Sequence, residues 1–432
     1  VQDHSLIKRM GRHIGQQCRR IGVHINFAPV VDVNSNPQNP VIHMRSFGEI
    51  PEQVAERASA YLDGLQQAGV MGVAKHFPGH GDTDQDSHKA LPVLDQSRKE
   101  LQRTELYPFR RMIKEHAGGI MSGHLAVPSM TGSDKAPASL SPKMIQGYLR
   151  DSLGYQNLVF TDALNMQGVT DQYGPARVAV KALQAGNDIL LYPEAVPQAI
   201  KRIQFAVQNQ AIDTAMLRKR VKKVLRAKYY AGLSEFNALA AEGLQDDLHS
   251  PEALDVKHQL AEGAMTLVKD PLELVPLKDL SKVSIASLAI GGSDENAFQD
   301  RLGQYADVRQ FHLPHDAGAE AFSRMKAELK DYNRVILSVH GQSFRVNQNF
   351  GLSEELIDQV NELAKDQLTI LVNFGSPYAL ALYNNNQAVL QAYEGDKTFH
   401  EAAAQALFGG FKVTGELPVS VQDRYQAGDG IK

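Results

Sequence analysis

The chain has 432 residues, of which 43% are hydrophobic and 22% charged, so it can form two domains with full cores and is not expected to be disordered. The net charge of −4 offers no basic surface for nucleic acid, and Cys18, the only cysteine, excludes a disulfide framework and a cysteine-rich zinc site. No apolar run reaches 18 residues and residues 1–20 lack a signal-peptide core, so we expect no membrane span or targeting segment in this chain.

The first half of the chain alternates apolar segments with helical patterns. The predicted strands are residues 24–33, 71–77, 118–127, 157–164 and 187–192. The predicted helices are residues 51–68, a helix opened by a Ser97–Glu100 capping box, a helix with Ser141 as N-cap before Pro142, and residues 214–229. Alternating strands and helices predict a parallel sheet, either open and doubly wound or closed in a (β/α)8 barrel.

Polar side chains at the ends of these strands favour the barrel. Asp32, Lys75, His76, His124 and Asp162 all fall at or near the carboxyl end of a predicted strand. The catalytic face of a barrel is built at that end of its strands.

The second half predicts a separate α/β unit. Its predicted strands are residues 265–268, 283–290, 334–339, 368–374 and 388–392, with helices at 320–329 and 354–364. Glycines follow three of these strands, but no phosphate-binding glycine motif is present, so sheet-to-helix turns explain them better than a nucleotide site. We predict a TIM-like barrel in residues 1–233, a linker and connecting helix in 234–262, and an α/β sandwich in 263–432.

Residues 73–88 (VAKHFPGHGDTDQDSH) have the character of an active site. An apolar strand leads into Lys75 and His76, and a loop with Pro78 and two glycines follows. Three histidines and three aspartates lie within residues 75–88. This density on a loop that leaves a sheet favours a catalytic role over a solvated surface loop.

This segment, with the sequence Thr-Asp-Ala-Leu at 161–164, resembles glycoside hydrolase family 3, in particular its bacterial β-N-acetylglucosaminidases. Arg-Ser-Phe-Gly at 45–48, Ser-Gly-His at 122–124 and residues 26–34 fit the same family in the same order. The resemblance is close over residues 22–233 and looser over 260–421. It implies a TIM-like barrel whose first strand or two have no counterpart in this chain, followed by an α/β sandwich.

The resemblance also implies a mechanism. Asp162 would be the nucleophile of a retaining exo-β-N-acetylglucosaminidase that acts on cell-wall (muropeptide) fragments, and His88, oriented by Asp86, would be the acid/base. The side chains matching the family's sugar-binding positions are Arg45, Lys75, His76 and His124. No cofactor is expected, and neither are nucleic-acid partners.

Each of these residues also has a structural interpretation. Asp162 could cap the turn that follows it, since aspartate at a strand-to-helix junction is common for that reason alone. His124 could be a buried histidine bonded to backbone, and Arg45 an ordinary surface residue. Asp32 is interpreted as structural, fixing a neighbouring loop.

Two other functions stay open from the sequence. A cluster of His76, His80 and His88 could serve a metal-dependent hydrolase, although its spacing fits no named zinc motif. The chain could also bind cell-wall sugar without cleaving it. The sequence does not separate hydrolysis from transfer to phosphate, and it leaves the compartment open, with the periplasm or cell envelope favoured by a small margin over the cytoplasm.

Overall fold

The computed structural model describes residues 1–85, 91–132, 136–235, 238–292 and 296–432. The chain divides into two compact units, one of residues 7–250 and one of residues 1–6 with 251–432. Both contain a sheet of mainly parallel strands with helices, which confirms the predicted α/β class. Within the described residues, no helix combines the length and the hydropathy needed to cross a membrane.

The sheet of the first unit is entirely parallel and follows chain order. Its strands are β1 (Ile25–Asn26), β2 (Met71–Phe77), β3 (Gly119–Ser122) and β4 (Leu158–Thr161). Single bridges join Val30 to Lys75 and Phe160 to Ile189, so both flanking predicted strands are much shorter than expected. Pro29, which has no N–H to donate, interrupts the first of them.

Helices connect and flank these strands. They are α1 (His4–Arg20), α2 (Pro51–Gln67), α3 (Arg98–Arg103), α4 (Leu106–Lys114), α5 (Pro128–Thr131), α6 (Gln167–Tyr173), α7 (Pro175–Ala185), α8 (Val196–Gln208), α9 (Thr214–Tyr230) and α10 (Leu244–Leu248), with a π-helical segment at Lys143–Ser152. Ser141 stands at the predicted N-cap position, directly before Pro142 as the first helical residue, but its side chain makes no cap. The first helical N–H groups bond to the Ser141 carbonyl.

The predicted capping box at the start of α3 is confirmed. The Ser97 N–H donates to Glu100 Oε2 at 2.8 Å, and the Glu100 N–H donates to Ser97 Oγ at 3.3 Å. Replacing Ser97 by Ala should lower the free energy of unfolding by about 1 kcal/mol, because one N-terminal N–H loses its acceptor. Denaturant titration measures this loss. Ser323→Ala on the exposed side of α13 (Ala319–Leu329) is the control and should cause none; an equal loss in both variants would contradict the prediction.

The second unit contains a six-stranded sheet. Its strands are β5 (Thr266–Lys269), β6 (Ile285–Ile290), β7 (Val308–Leu313), β8 (Arg334–Val339), β9 (Thr369–Asn373) and β10 (Ala388–Gln391), in the order β5-β10-β9-β8-β6-β7 with β5 antiparallel. Besides α13, its helices are α11 (Pro251–Ala264), α12 (Ala297–Gly303), α14 (Glu354–Asp366) and α15 (Lys397–Leu407). Sequence reasoning missed β7. It is an edge strand, and its exposed Arg309 and Gln310 interrupt the apolar pattern by which strands were predicted.

Both faces of this second sheet are buried. Leu288, Leu337 and Leu371 pack on one side, while Ile336 and Ile370, their neighbours along the strands, pack on the other. A parallel sheet covered by helices on both faces gives this continuous apolar sequence. It explains why most of these strands could be predicted.

Candidate active site

The carboxyl ends of three neighbouring strands bring the predicted site residues together. In the parallel register Phe77 lies beside Ser122, and Ser122 lies beside Thr161. The residues that follow these positions therefore leave the sheet at one edge. The predicted cluster of Lys75, His76, His124 and Asp162 is built there.

Asp32 holds the end of β2 and the segment that follows it. Its Oδ1 accepts hydrogen bonds from the N–H groups of His76 (3.0 Å) and His80 (2.9 Å), and its Oδ2 lies 2.7 Å from His76 Nδ1. Burial would raise the pKa of Asp32, but the charge and hydrogen bonds of His76, assisted by His80, hold that pKa below its usual range. The structural role predicted for Asp32 is confirmed.

We call residues 76–83, which are the last two residues of β2 and the loop after them, the site loop. It packs closely on the segment that carries Asp32: a Cβ on Gly81 would lie 1.6 Å from the Val33 carbonyl oxygen. Asn39 Nδ2 donates to the carbonyls of His80 (2.7 Å) and Gly81 (2.9 Å) from the same side. The loop is therefore fixed by backbone contacts as well as by Asp32.

Gly81→Ala should force the site loop away from its support. We expect a loss of about 1–3 kcal/mol in the free energy of unfolding and a fall in kcat/KM of at least about tenfold, because displaced binding groups lose their alignment. Gly147→Ala, within the π-helical segment, is the control, because a Cβ added there would lie 3.8 Å from the Pro142 carbonyl oxygen, an ordinary contact. Equal behaviour of the two variants in thermal unfolding and turnover would contradict this prediction.

Asp162 follows β4 and keeps part of its surface accessible. Its Oδ1 accepts a hydrogen bond from the Ala163 N–H at 2.8 Å. The next helix, α6, begins only at Gln167 and has no side-chain cap, so Asp162 does not cap it. Burial raises the pKa of Asp162, but His76, His124, the Ala163 N–H and Lys75 together lower it below its usual value. The carboxylate is thus ionised and positioned.

His124 is buried and uses both ring nitrogens within the protein. Nδ1 lies 2.7 Å from Ser139 Oγ, and Nε2 lies 3.0 Å from the carbonyl oxygen of Ala163. A carbonyl can only accept, so Nε2 carries a proton and donates to Ala163. His124 therefore holds the residue next to Asp162. Its contact with substrate stays a prediction.

Positive groups surround this carboxylate. Burial, and then the nearby Arg45 guanidinium, lower the pKa of Lys75, while the charges of Asp162 and Asp32 oppose that shift. Arg45 is exposed, and its Nη2 lies 3.5 Å from His76 Nε2. Lys75 and Arg45 supply hydrogen-bond donors and His76 a ring nitrogen near the Asp162 carboxyl group, and a site for sugar hydroxyls requires such polar groups.

The metal interpretation finds no support in the described part of the chain. Across residues 1–85, 91–132, 136–235, 238–292 and 296–432, no group of three or more His, Cys, Asp or Glu side chains is placed to hold a metal ion. His76 Nδ1 is bonded to Asp32, and His80 Nδ1 lies 2.7 Å from Thr83 Oγ1. The predicted Asp86 and His88 lie outside the described residues.

Sequence reasoning missed three supporting residues. Asn39 holds the backbone of the site loop, and Ser139 contacts the His124 ring. Glu105 is fully buried beside the site loop. Asn39 and Ser139 carry no sequence pattern of their own. Glu105 was detectable as the acidic residue directly before the apolar face of α4.

Comparison with known proteins places this site in a family. Residues 1–227 match the glycosyl hydrolase family 3 N-terminal domain. The chain belongs to glycosyl hydrolase family 3. The family predicted from residues 45–48, 75–88 and 161–164 is thereby confirmed.

Family members with assigned names are similar over different parts of the chain. Beta-hexosaminidase A of Pseudoalteromonas piscicida is 34% identical over 289 residues, which cover 62% of this chain and 48% of that protein. A beta-N-acetylglucosaminidase/beta-glucosidase of Cellulomonas fimi is 25% identical over 435 residues, 96% of this chain and 77% of that protein. The chain thus spans about half the length of the first of these relatives.

A solved family 3 structure shares the fold of both units. The β-N-acetylglucosaminidase of Paenibacillus sp. str. FPU-7 matches with a TM-score of 0.81 and 28% identity, over 98% of this chain and 82% of that one. This agrees with the predicted TIM-like barrel followed by an α/β sandwich. The described strands of the first unit form a consecutive parallel series, β1 to β4, which is consistent with such a barrel.

Proposed function

We propose that the protein is a retaining exo-β-N-acetylglucosaminidase that releases terminal N-acetylglucosamine from cell-wall fragments. The observation that carries this proposal is the partly accessible Asp162 carboxyl group at the end of β4, held by the Ala163 N–H with Lys75 and His76 near it. Relatives named beta-hexosaminidase and beta-N-acetylglucosaminidase support the choice of sugar.

The proposed first step is attack of Asp162 on the anomeric carbon. The Asp162 carboxylate forms a bond to that carbon while the glycosidic bond breaks, and the leaving oxygen takes a proton from the general acid. Water then cleaves the glycosyl ester and gives its proton to the same group. Two inversions at carbon yield retention of configuration.

His88 with Asp86 is the proposed acid/base, on the strength of the family sequence pattern. An imidazole titrates near neutral pH, so it can give and then retake one proton in successive steps. Asp86 would fix the ring and stabilise its protonated form. Asp162 would attack one face of the anomeric carbon, and this pair would protonate the glycosidic oxygen that leaves from the opposite face.

Arg45, Lys75 and His76 are proposed to bind the sugar ring. Asp32 fixes the His76 ring at Nδ1, which leaves Nε2 on the Arg45 side of the cluster. Donors held on a rigid strand end orient a ring at low entropic cost. His124 is proposed to help position Asp162 by holding Ala163, and to contact the edge of the bound sugar ring.

The test compares p-nitrophenyl β-N-acetylglucosaminide with the matching β-glucoside, on full-length protein with chelator present. Turnover of the first alone is expected. When phosphate is added, free N-acetylglucosamine should remain the product. Formation of the sugar 1-phosphate would show that the reaction is phosphorolysis rather than hydrolysis. Turnover lost to chelator and restored by zinc would favour the metal interpretation, and binding of N-acetylglucosamine without turnover a sugar-binding protein.

A further inference from the structure

Glu105 is a fully buried carboxyl group that the proposed mechanism does not use. It stands directly before α4, yet its side chain makes no cap to that helix. Its Oε1 lies 3.4 Å from Ser35 Oγ and 3.5 Å from Gln96 Nε2. Its Oε2 has no hydrogen-bond partner among the described residues. A buried carboxylate with so few donors would be costly, which is a reason for it to keep its proton.

This group lies directly under the site loop. A Cβ placed on Gly79 would come within 2.6 Å of Glu105 Cβ and 2.8 Å of its Oε2. Only a residue without a side chain allows this approach. A change in the position or charge of Glu105 therefore acts directly on the backbone of the site loop between His76 and His80, because the two are in close contact.

The hydroxyl of Ser35 joins Glu105 to a second carboxyl group. Ser35 Oγ lies 3.4 Å from Asp82 Oδ1 on the site loop, the same distance as from Glu105 Oε1. A hydroxyl has one proton and can donate to only one of the two carboxyl groups. If Ser35 donates to Asp82, the contact with Glu105 is a hydrogen bond only when Glu105 carries a proton and donates it to Ser35.

We propose that Glu105 is a protonated positioning residue, which holds the site loop through a hydrogen-bond chain from its carboxyl group to Ser35 and on to Asp82. Burial, with the charges of Asp32 and Asp82 next in effect, raises the pKa of Glu105 to about 8. Those two carboxylates are the charged groups that face it from the Asp32 segment and the site loop; Gln96 faces it from residues 91–97 and is neutral.

The direction of the pH effect follows from that raised pKa. Below the pKa of an unfolded glutamate, near 4.5, Glu105 is protonated in both the folded and the unfolded protein, so its ionisation does not lower the free energy of unfolding. As pH rises toward 8 the unfolded chain gains by losing the proton, so stability falls. Above about pH 8 the folded protein carries three neighbouring carboxylates, Asp32, Asp82 and Glu105, and the site loop loosens.

Glu105→Gln tests this directly, because an amide copies the protonated carboxyl in shape and neutrality and can still donate to Ser35. We expect the difference in thermal midpoint between this variant and the wild type to widen from about pH 5 to pH 8 and then stay constant. Glu56→Gln, an exposed glutamate of α2, is the matched control and should show a constant difference. A constant difference for Glu105→Gln as well would overturn the proposal.

The activity arm rests on the proposed glycosidase function. The ratio of kcat/KM for Glu105→Gln to that of the wild type should be near one at pH 6 and rise above pH 8, because only the wild type loosens its site loop when Glu105 ionises. Any pH dependence of kcat/KM that both proteins share cancels in this ratio. Glu105→Ala should lose roughly ten- to a hundredfold at every pH. If Glu105→Gln loses as much as Glu105→Ala at every pH, the ionised form is required and the proposal fails.

The two arms separate failures. If no glycoside is turned over, the proposed function fails while the thermal arm still decides the state of Glu105. If turnover is normal and the thermal difference is flat, the function stands and the role of Glu105 falls.

Discussion

Asp162→Ala should remove glycosidase turnover while the protein stays folded. Asp162 is the group proposed to form the bond to the anomeric carbon, so its loss removes the covalent route and should cost at least about 10³-fold in kcat. Its side chain accepts only the hydrogen bond of the adjacent Ala163 N–H among the bonds we describe, so truncation leaves the strand register intact. Steady-state kinetics with circular dichroism as the folding check measures both effects.

Asp162→Gly adds a sharper form of the same prediction. The space left by the side chain should admit a small anion such as azide, which attacks the same face of the sugar. The product would be an α-glycosyl azide, opposite in configuration to the substrate, because only one inversion takes place. Asp188→Asn, a buried carboxylate paired with Arg150 at 2.6 Å, is the control and should not respond to azide. Near-normal turnover in Asp162→Ala would contradict the assignment.

Asp32→Asn should have the second largest effect, on both stability and activity. The amide can still accept the N–H groups of His76 and His80, but it then turns an N–H toward His76 Nδ1. That ring must move its proton to Nε2, the nitrogen that faces Arg45. We expect kcat/KM to fall by about 10²-fold or more through this wrong tautomer. The free energy of unfolding should fall by about 3 kcal/mol, because a buried pair is broken.

The pH dependence of this loss has a definite sign. The folded pKa of Asp32 is depressed, so its stabilising contribution is present above the ordinary aspartate pKa, near 4, and is lost as pH falls through the lower folded value. The stability difference between wild type and Asp32→Asn should therefore be constant at neutral pH and shrink only in acid. Asp63→Asn is the control: its exposed pair with Lys8 should contribute less than about 1 kcal/mol. A difference that grows in acid would contradict this account.

Sequence reasoning was strongest where polar side chains coincide with strand ends. Lys75, His76 and Asp162 were expected to meet because a parallel sheet brings the carboxyl ends of its strands to one edge, and the register places those strand ends side by side. Their roles stay predictions. Strand β2 has the predicted limits, since its first four residues (MGVA) are apolar and Pro78 follows its last residue.

Other features depend on contacts distant in sequence. Asn39 and Glu105 support the site loop from segments about 40 and 25 residues away. The position of Glu105 before α4 marks it as unusual, but no local pattern of either residue predicts its contact with the loop. The shortening of the predicted strand at 24–33 follows from a proline, a local cause that could have been weighed. Strand β7 was missed because its exposed polar residues at an edge break the apolar pattern.

The central claim is a covalent intermediate on Asp162, and trapping it is the most direct test. Full-length protein would be incubated with a fluorinated N-acetylglucosaminyl fluoride, whose electron-poor ring slows the second step, and then digested for mass spectrometry. We predict that one sugar adds to the peptide that contains Asp162 and that fragmentation places it on that carboxyl group. A sugar on another residue, or turnover of this reagent with no adduct at all, would contradict the account.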